Sequence, residues 1–348
     1  MIFPLTFSFR ILYFLFRIFF CFLWIFGEEI IIMDIITEIG VQDLEVTASK
    51  AVVTISDTAD FYPDHIFDCG QAFRWNRDGN GYIGIVRDKV IRVSYHDRDS
   101  TLTLENCSLD QYNRFWRHYF DLDRDYGQVK RKLSSDPVMK EAIRYGWGMR
   151  ILNQDPWETL ISFILSANNN ISRIKGIIEK LSIKYGKEIH WEGNTYYTFP
   201  TPEALSRAEE EDLRACGCGY RGPYIKKTAC MASEGLISTS ELRNLSYEEA
   251  HKALLGCMGV GDKVADCILL YSMERPEAFP VDVWVKRVME YYYIGRPVPV
   301  RQIKSLAAEK FGKLAGLAQQ YLFYYAREQK IGKQGDSPAA DRMAGRIG

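Results

Sequence analysis

The sequence predicts an α+β protein, an N-terminal antiparallel β-sheet domain followed by an all-helical domain. Three observations carry this. Residues 82–105 hold short β-branched runs separated by turn residues. From Leu109 onward, apolar residues recur at three- and four-residue spacing, the period of a helix with one buried face. The chain's 348 residues, 47% hydrophobic and 26% charged, suffice for two cored domains and exclude a disordered or fibrous chain.

Residues 1–32 stand apart as a hydrophobic leader rich in Phe, Ile and Leu, interrupted by Arg10 and Arg17. Its uninterrupted apolar run, Ile18 to Phe26, is nine residues, whereas a bilayer span needs roughly 20. FLWIFGEE is also a poor signal-peptide cleavage site. Translation beginning at Met33, which would leave residues 1–32 untranslated, is favoured over membrane association or an element of the fold.

Residues 33–136 make up the expected sheet domain. Tyr82–Val86, Val90–Ser94 and Thr101–Glu105 read as three strands of a meander, with Asp88 and His96-Asp-Arg-Asp in the turns. The boundary is placed near Asp136-Pro137, and residues 137–330 form the helical domain. Helical periods run over Trp157–Tyr185, Pro202–Cys216, Ser246–Leu255, Lys263–Met273, Val283–Tyr293 and Ala315–Glu328. Asn168-Asn-Asn170 interrupts the first of these and predicts a helix break. Ser246 and Glu249 have capping-box spacing, and Asp282 stands where an N-cap belongs after Pro280. Residues 331–348, rich in Gly, Lys and Asp, read as a flexible tail.

Forty-four Lys/Arg against 45 Asp/Glu leave a net charge of −1, so the chain as a whole is not strongly basic. From Arg221 onward there are 19 Lys/Arg and 14 Asp/Glu, a net +5 compatible with a phosphate-facing surface. Eight cysteines with no C-x-x-C pair argue against a zinc ribbon or a secreted disulfide framework and favour a reducing compartment.

The chemistry centres on Leu255-Gly-Cys-Met-Gly-Val-Gly-Asp-Lys-Val-Ala-Asp-Cys-Ile268, between two helical patterns. Gly259, Val260 and Gly261 form a turn whose backbone can approach a ligand, and amides at the following helix start can face a phosphate oxygen. By itself Gly-Val-Gly fits an ordinary helical hairpin equally well. Pro280-Val-Asp282 downstream changes the weighing. It lets Lys263 and Asp282 meet between two helix starts, and an unprotonated amine beside a fixed carboxylate suits attack on a sugar carbon. A lone Lys–Asp pair is more often structural; hairpin, lysine, proline and aspartate in this order are specific.

The hairpin through Asp282 resembles the helix–hairpin–helix, Gly/Pro-Asp superfamily of DNA glycosylases, with the lysine of its bifunctional branch. Cys69-Gly-Gln-Ala-Phe-Arg-Trp75, Leu152-Asn-Gln-Asp-Pro-Trp157, Phe163 to Ile171 with Arg173, Gly219-Tyr-Arg221 and Ala318-Gln-Gln-Tyr-Leu-Phe323 narrow this to the 8-oxoguanine DNA glycosylase/AP lyase family. The resemblance covers roughly Phe61 to Glu328.

It implies a helix–hairpin–helix glycosylase domain after the sheet domain, with Lys263 and Asp282 catalytic. It gives the Gly70 carbonyl the N7 hydrogen that oxidised guanine has and guanine lacks. Cys267 and Phe323, core residues by periodicity alone, sandwich the extruded purine, and Gln319 bonds its Watson–Crick edge. Asn168 fills the gap, Tyr220 wedges beside the opposite base, and Arg173 and Arg221 bond the orphaned cytosine. Gly259, Val260 and Gly261 face the DNA phosphates. Trp284 departs from the family's animal members, which carry histidine there, and puts one phosphate contact in doubt. No cysteine follows Cys267, so the iron–sulfur cluster of related branches is not expected.

The implied activity is excision of 8-oxoguanine through a lysine Schiff base, then β-elimination. No cofactor or metal is required for the chemistry, although hairpins of this family can hold a monovalent cation. The expected partner is double-stranded DNA containing 8-oxoguanine, acted on by a monomer with no obligate protein partner. The expected location is the bacterial cytoplasm, at the nucleoid, without membrane association through the leader. Two rival readings remain: a glycosylase for another damaged purine, and a non-catalytic helix–hairpin–helix DNA-binding module.

Overall fold

The computed structural model describes residues 46–49 and 51–332, so the leader and most of the predicted tail lie outside the described residues. Six strands form one antiparallel sheet: β1 (Val46–Ala48), β2 (Val52–Ile55), β3 (Trp75–Asp78), β4 (Gly81–Val86), β5 (Lys89–His96) and β6 (Thr101–Glu105), in the order β1-β2-β6-β5-β4-β3. The last three are the predicted strands. The others escaped because β1 and β2 are very short and β3 reads Trp-Asn-Arg-Asp, with a single apolar residue. The side-chain alternation of strands puts Val53, Ile55, Ile91, Val93, Leu102 and Leu104 on one face, all fully buried. Phe67 stacks on Trp75 there at 4.0 Å between ring centroids.

Helices follow: α1 (Tyr126–Leu133), α2 (Pro137–Tyr145), α3 (Pro156–Ser166), α4 (Ile171–Tyr185), α5 (Gly222–Ser233), α6 (Tyr247–Leu255), α7 (Asp262–Ser272), α8 (Val283–Met289), α9 (Val300–Phe311) and α10 (Ala315–Glu328). The break at the asparagines stands between α3 and α4. The Ser246–Glu249 capping box is formed, and Asp136 and Asp282 both cap helices. Two predicted spans differ. Pro202–Cys216 splits into short helices at Pro202–Ser206 and Glu210–Ala215, and Val283–Tyr293 is α-helical only to Met289, widening to a π-turn over Glu290–Ile294. A two-stranded hairpin at Glu188–Trp191 and Asn194–Tyr197 was not anticipated.

The buried residues form two cores, one under the sheet and a larger one among the helices. The larger core takes in Tyr126, Val129 and Leu133 of α1, and Ile331 from the start of the predicted tail. Residues 69–75 run along the seam. Cys69 and Phe73 enter the helical core, whereas Ala72 and Trp75 enter the sheet core. Gln71, fully buried, ties the seam shut: its amide donates to the carbonyls of Ile66 and Arg150 and accepts from Leu152 N–H. Among the described residues no helix is long and apolar enough to cross a membrane.

Candidate active site

Helix α7 packs on α3 and α6, and α8 packs on α10. Lys263 comes from the first turn of α7 and is half-buried. Its Nζ lies 5.2 Å from the centre of the Phe163 ring, a cation–π arrangement supplied by α3. Phe163 is itself stacked on Tyr271 at 5.5 Å, which fixes that floor. One turn beyond Lys263, the fully buried Asp266 anchors α7. Tyr247 donates to it at 2.6 Å from α6, and the Lys304 ammonium of α9 sits 2.5 Å away.

Asp282 caps α8, its Oδ1 accepting from Trp284 N–H at 3.0 Å and Val285 N–H at 2.8 Å. Burial raises its carboxyl above the ordinary value, opposed by those amides and by the positive charge of Lys263. Cys267 is buried beside the same pair. Burial pushes its thiol up to about 11 against the attraction of Lys263, so it presents a neutral sulfur.

Of the residues predicted for the base pocket, Gly70 and Phe323 lie together. Gly70 has φ +90°, a backbone that L side chains rarely adopt. A Cβ built there would lie 3.2 Å from Ile171 Cδ1, 3.3 Å from Arg327 Nη1 and 3.7 Å from Phe323 Cε1. Those three atoms belong to α4 and α10, so the seam loop faces the same wall as Phe323. Gln319, one turn before Phe323, is 3% exposed, and its Oε1 has no hydrogen-bond partner among the described residues. A buried amide oxygen left unpaired is costly and suits a donor arriving with a ligand.

A second group gathers at the helix break. Asn168 is exposed with φ +48°, and Asn170 caps α4 by accepting from Arg173 N–H. The Ala167 carbonyl accepts from Tyr220 Oη at 3.3 Å and Arg221 Nε at 2.9 Å, while Arg221 Nη2 reaches the Asn168 carbonyl at 3.0 Å. Tyr220 is 54% exposed, as a wedge requires, and Arg173 is exposed. Arg221 is different: it is 3% exposed, with its donors turned to these carbonyls. Reading an orphaned cytosine would require it to exchange those bonds.

At the hairpin, Gly259 has φ +83°, and a Cβ there would sit 2.7 Å from the Tyr224 ring of α5, so only glycine lets the turn lie this close. Gly261 opens on free space and begins α7 without a side-chain cap, leaving that helix start's amides accessible; Val260 is buried beneath. Trp284 lies under the Arg287 guanidinium, 5.0 Å from ring centre to Cζ, so a cation stands next to the indole. Phe163 and Arg327 were not assigned roles from the sequence. Arg327 was detectable only as the residue four positions after Phe323, on the same helix face.

Two family models cover most of the chain. The 8-oxoguanine DNA glycosylase N-terminal domain matches residues 53–160, and the HhH-GPD superfamily of base excision DNA repair proteins matches residues 161–313. An N-glycosylase/DNA lyase of Saccharomyces cerevisiae is 36% identical over 306 residues, spanning 74% of this chain and 81% of the relative. The chain belongs to the 8-oxoguanine DNA glycosylase family. A probable N-glycosylase/DNA lyase of Methanothermobacter thermautotrophicus is 39% identical over 204 residues, covering 53% of this chain and 65% of that protein. Among solved structures of the family, the Clostridium acetobutylicum 8-oxoguanine glycosylase/lyase with double-stranded DNA containing cytosine opposite 8-oxoG superposes with a TM-score of 0.80 at 43% identity. It covers 84% of this chain and all of that one.

Proposed function

We propose that this protein excises 8-oxoguanine from double-stranded DNA and then cleaves the strand. The observation that carries this is the pairing of Lys263 with Asp282, with the neutral Cys267 sulfur beside both and the Gly70 backbone held against Phe323 and Arg327. A DNA-binding module has no use for an amine beside a fixed carboxylate and a neutral buried sulfur. The lysine also argues against an alkylpurine glycosylase, whose branch generally lacks it.

The proposed sequence begins with unprotonated Lys263 Nζ attacking C1′ of the extruded nucleotide. The Nζ–C1′ bond forms, the C1′–N9 bond breaks, and its electron pair leaves with the base. Asp282 stabilises positive charge developing on the sugar, and its two amide bonds hold it in position. Ring opening gives the Schiff base, and loss of a C2′ proton expels the 3′ phosphate by β-elimination. The Gly70 carbonyl accepts the N7 hydrogen peculiar to the oxidised base, and Gln319 Oε1 accepts from its Watson–Crick edge. Asn168 and Tyr220 fill the space the nucleotide leaves, offsetting an extrusion cost of a few kcal/mol.

No cofactor enters these steps; a monovalent cation on the hairpin carbonyls would serve DNA binding. A single chain suffices for this scheme, with no protein partner, and the same reading places it with the DNA in the bacterial cytoplasm. The test is Lys263→Gln. Base release and nicking should be abolished while lesion binding persists, and borohydride should trap wild type but not the variant on lesion DNA. Trapping that survives in Lys263→Gln would assign the nucleophile elsewhere.

A further inference from the structure

We infer that Arg327 is a positioning residue that holds the lesion-reading loop at Gly70 against the aromatic wall of the base pocket, and so sets selectivity for oxidised over ordinary guanine. The inference rests on the proposed 8-oxoguanine activity. Arg327 lies on α10 one turn after Phe323, at the mouth of the seam between the two cores.

Three of its nitrogens are engaged. Nη2 donates to the Asp68 carbonyl at 2.9 Å, Nη1 to the Cys69 carbonyl at 3.2 Å, and Nε to Glu328 Oε1 at 2.8 Å. The first two acceptors are the consecutive carbonyls before Gly70, in a stretch outside any β-ladder. The same guanidinium covers Phe323, 5.3 Å from its ring centre, and Tyr324 at 5.5 Å. One planar group thus fixes both the loop that presents the discriminating carbonyl and the ring on which the base would stack. Lysine cannot reproduce this, because a point charge lacks the fork that spans two carbonyls while lying flat on a ring.

Arg327 also acts electrostatically on Asp282. That alternative route has a different signature. Cleavage at a pre-formed abasic site uses Lys263 and Asp282 but no base pocket, so loss through Asp282 would strike abasic and lesion DNA alike. Loss through the Gly70 loop would strike lesion DNA selectively.

The experiment compares wild type, Arg327→Met and Arg327→Lys in single turnover, on duplexes with 8-oxoguanine or an abasic site opposite cytosine. Binding to lesion and undamaged duplexes is measured alongside. For Arg327→Met the expected loss of 8-oxoguanine excision is at least tenfold, and at least fivefold greater than the loss on abasic DNA. The binding preference for lesion over undamaged DNA should contract with it, and Arg327→Lys should lie closer to the Met variant than to wild type. Unchanged excision, equal loss on both substrates, or full rescue by lysine would each overturn the positioning role. Wild-type protein that nicks abasic DNA but leaves 8-oxoguanine in place would instead refute the underlying activity, and that result is read without any variant.

Discussion

Gly70→Ala probes the base pocket with the smallest possible change. The added methyl meets Ile171 Cδ1 at 3.2 Å and Arg327 Nη1 at 3.3 Å, and the backbone is at φ +90°. An L-residue held at such a φ costs about 1–2 kcal/mol. If the loop keeps its shape, the folded state bears that cost, and the melting temperature falls by a few degrees. If the loop relaxes to negative φ, the strain is relieved but the 70–71 peptide rotates and its carbonyl leaves the pocket. An unmatched N7 hydrogen then costs about 1–3 kcal/mol of lesion recognition, roughly 5- to 150-fold. Both branches are measurable together, by thermal unfolding and by single-turnover excision on lesion and abasic duplexes. The expected result is a selective loss on the lesion, accompanied by mild destabilisation. A variant with wild-type melting and wild-type excision would refute both the strain and the placement of the carbonyl.

Asp282→Asn keeps a good N-cap for α8, so the fold should survive while excision falls about 100-fold, from roughly 3 kcal/mol for a unit charge about 5 Å away at an effective dielectric of about 20. A folded variant with unchanged turnover would remove Asp282 from the chemistry. Because burial raises the Asp282 carboxyl, the Asp282 component of the acidic limb should lie at a higher pH than an ordinary carboxylate would give, and that component should be missing from Asp282→Asn. The folded state also binds this proton more tightly than the unfolded chain does. The group's contribution to stability therefore declines as pH rises from the ordinary carboxylate value to the raised one, and is level above it. For the opposite base, wild type should excise 8-oxoguanine paired with cytosine at least several-fold faster than paired with adenine, at roughly 1–3 kcal/mol per matched contact. Arg221→Ala should narrow that ratio more than it slows cutting of a single-stranded lesion, and equal wild-type rates opposite both bases would sink the assignment.

The helical half was legible because its signals are local. A capping box, a Pro-Val-Asp cap and a Gly-Val-Gly turn each depend on neighbours a few residues apart, and all three formed where expected. The sheet was half legible. β2 and β3 gain their partners from β6 and β4, so four-residue runs such as Trp75-Asn-Arg-Asp carry little pattern of their own. The site divides in the same way. Lys263 and Asp282 announced themselves through residue type and order. Phe163 as the floor beneath the amine and Arg327 as the clamp on residues 68 and 69 depend on contacts across more than 90 positions of chain, which no periodicity encodes. Arg221 had the right identity, but its inward-facing geometry was visible only once Ala167 was seen to accept from it.

The seam at residues 69–75 links two bodies of different purpose. Lys263 and Asp282 hang from the helical core, whereas Gly70 is suspended between both cores, with Cys69 and Phe73 anchored on one side and Ala72 and Trp75 on the other. Its carbonyl therefore keeps register with the lysine only while the two cores keep register with each other. Damage to the packing under the sheet, far from any DNA, would blur the distinction between intact and oxidised guanine while leaving strand scission at abasic sites in place. On the proposed roles, fidelity is a property of the alignment between the two halves, and cutting is a property of one half alone.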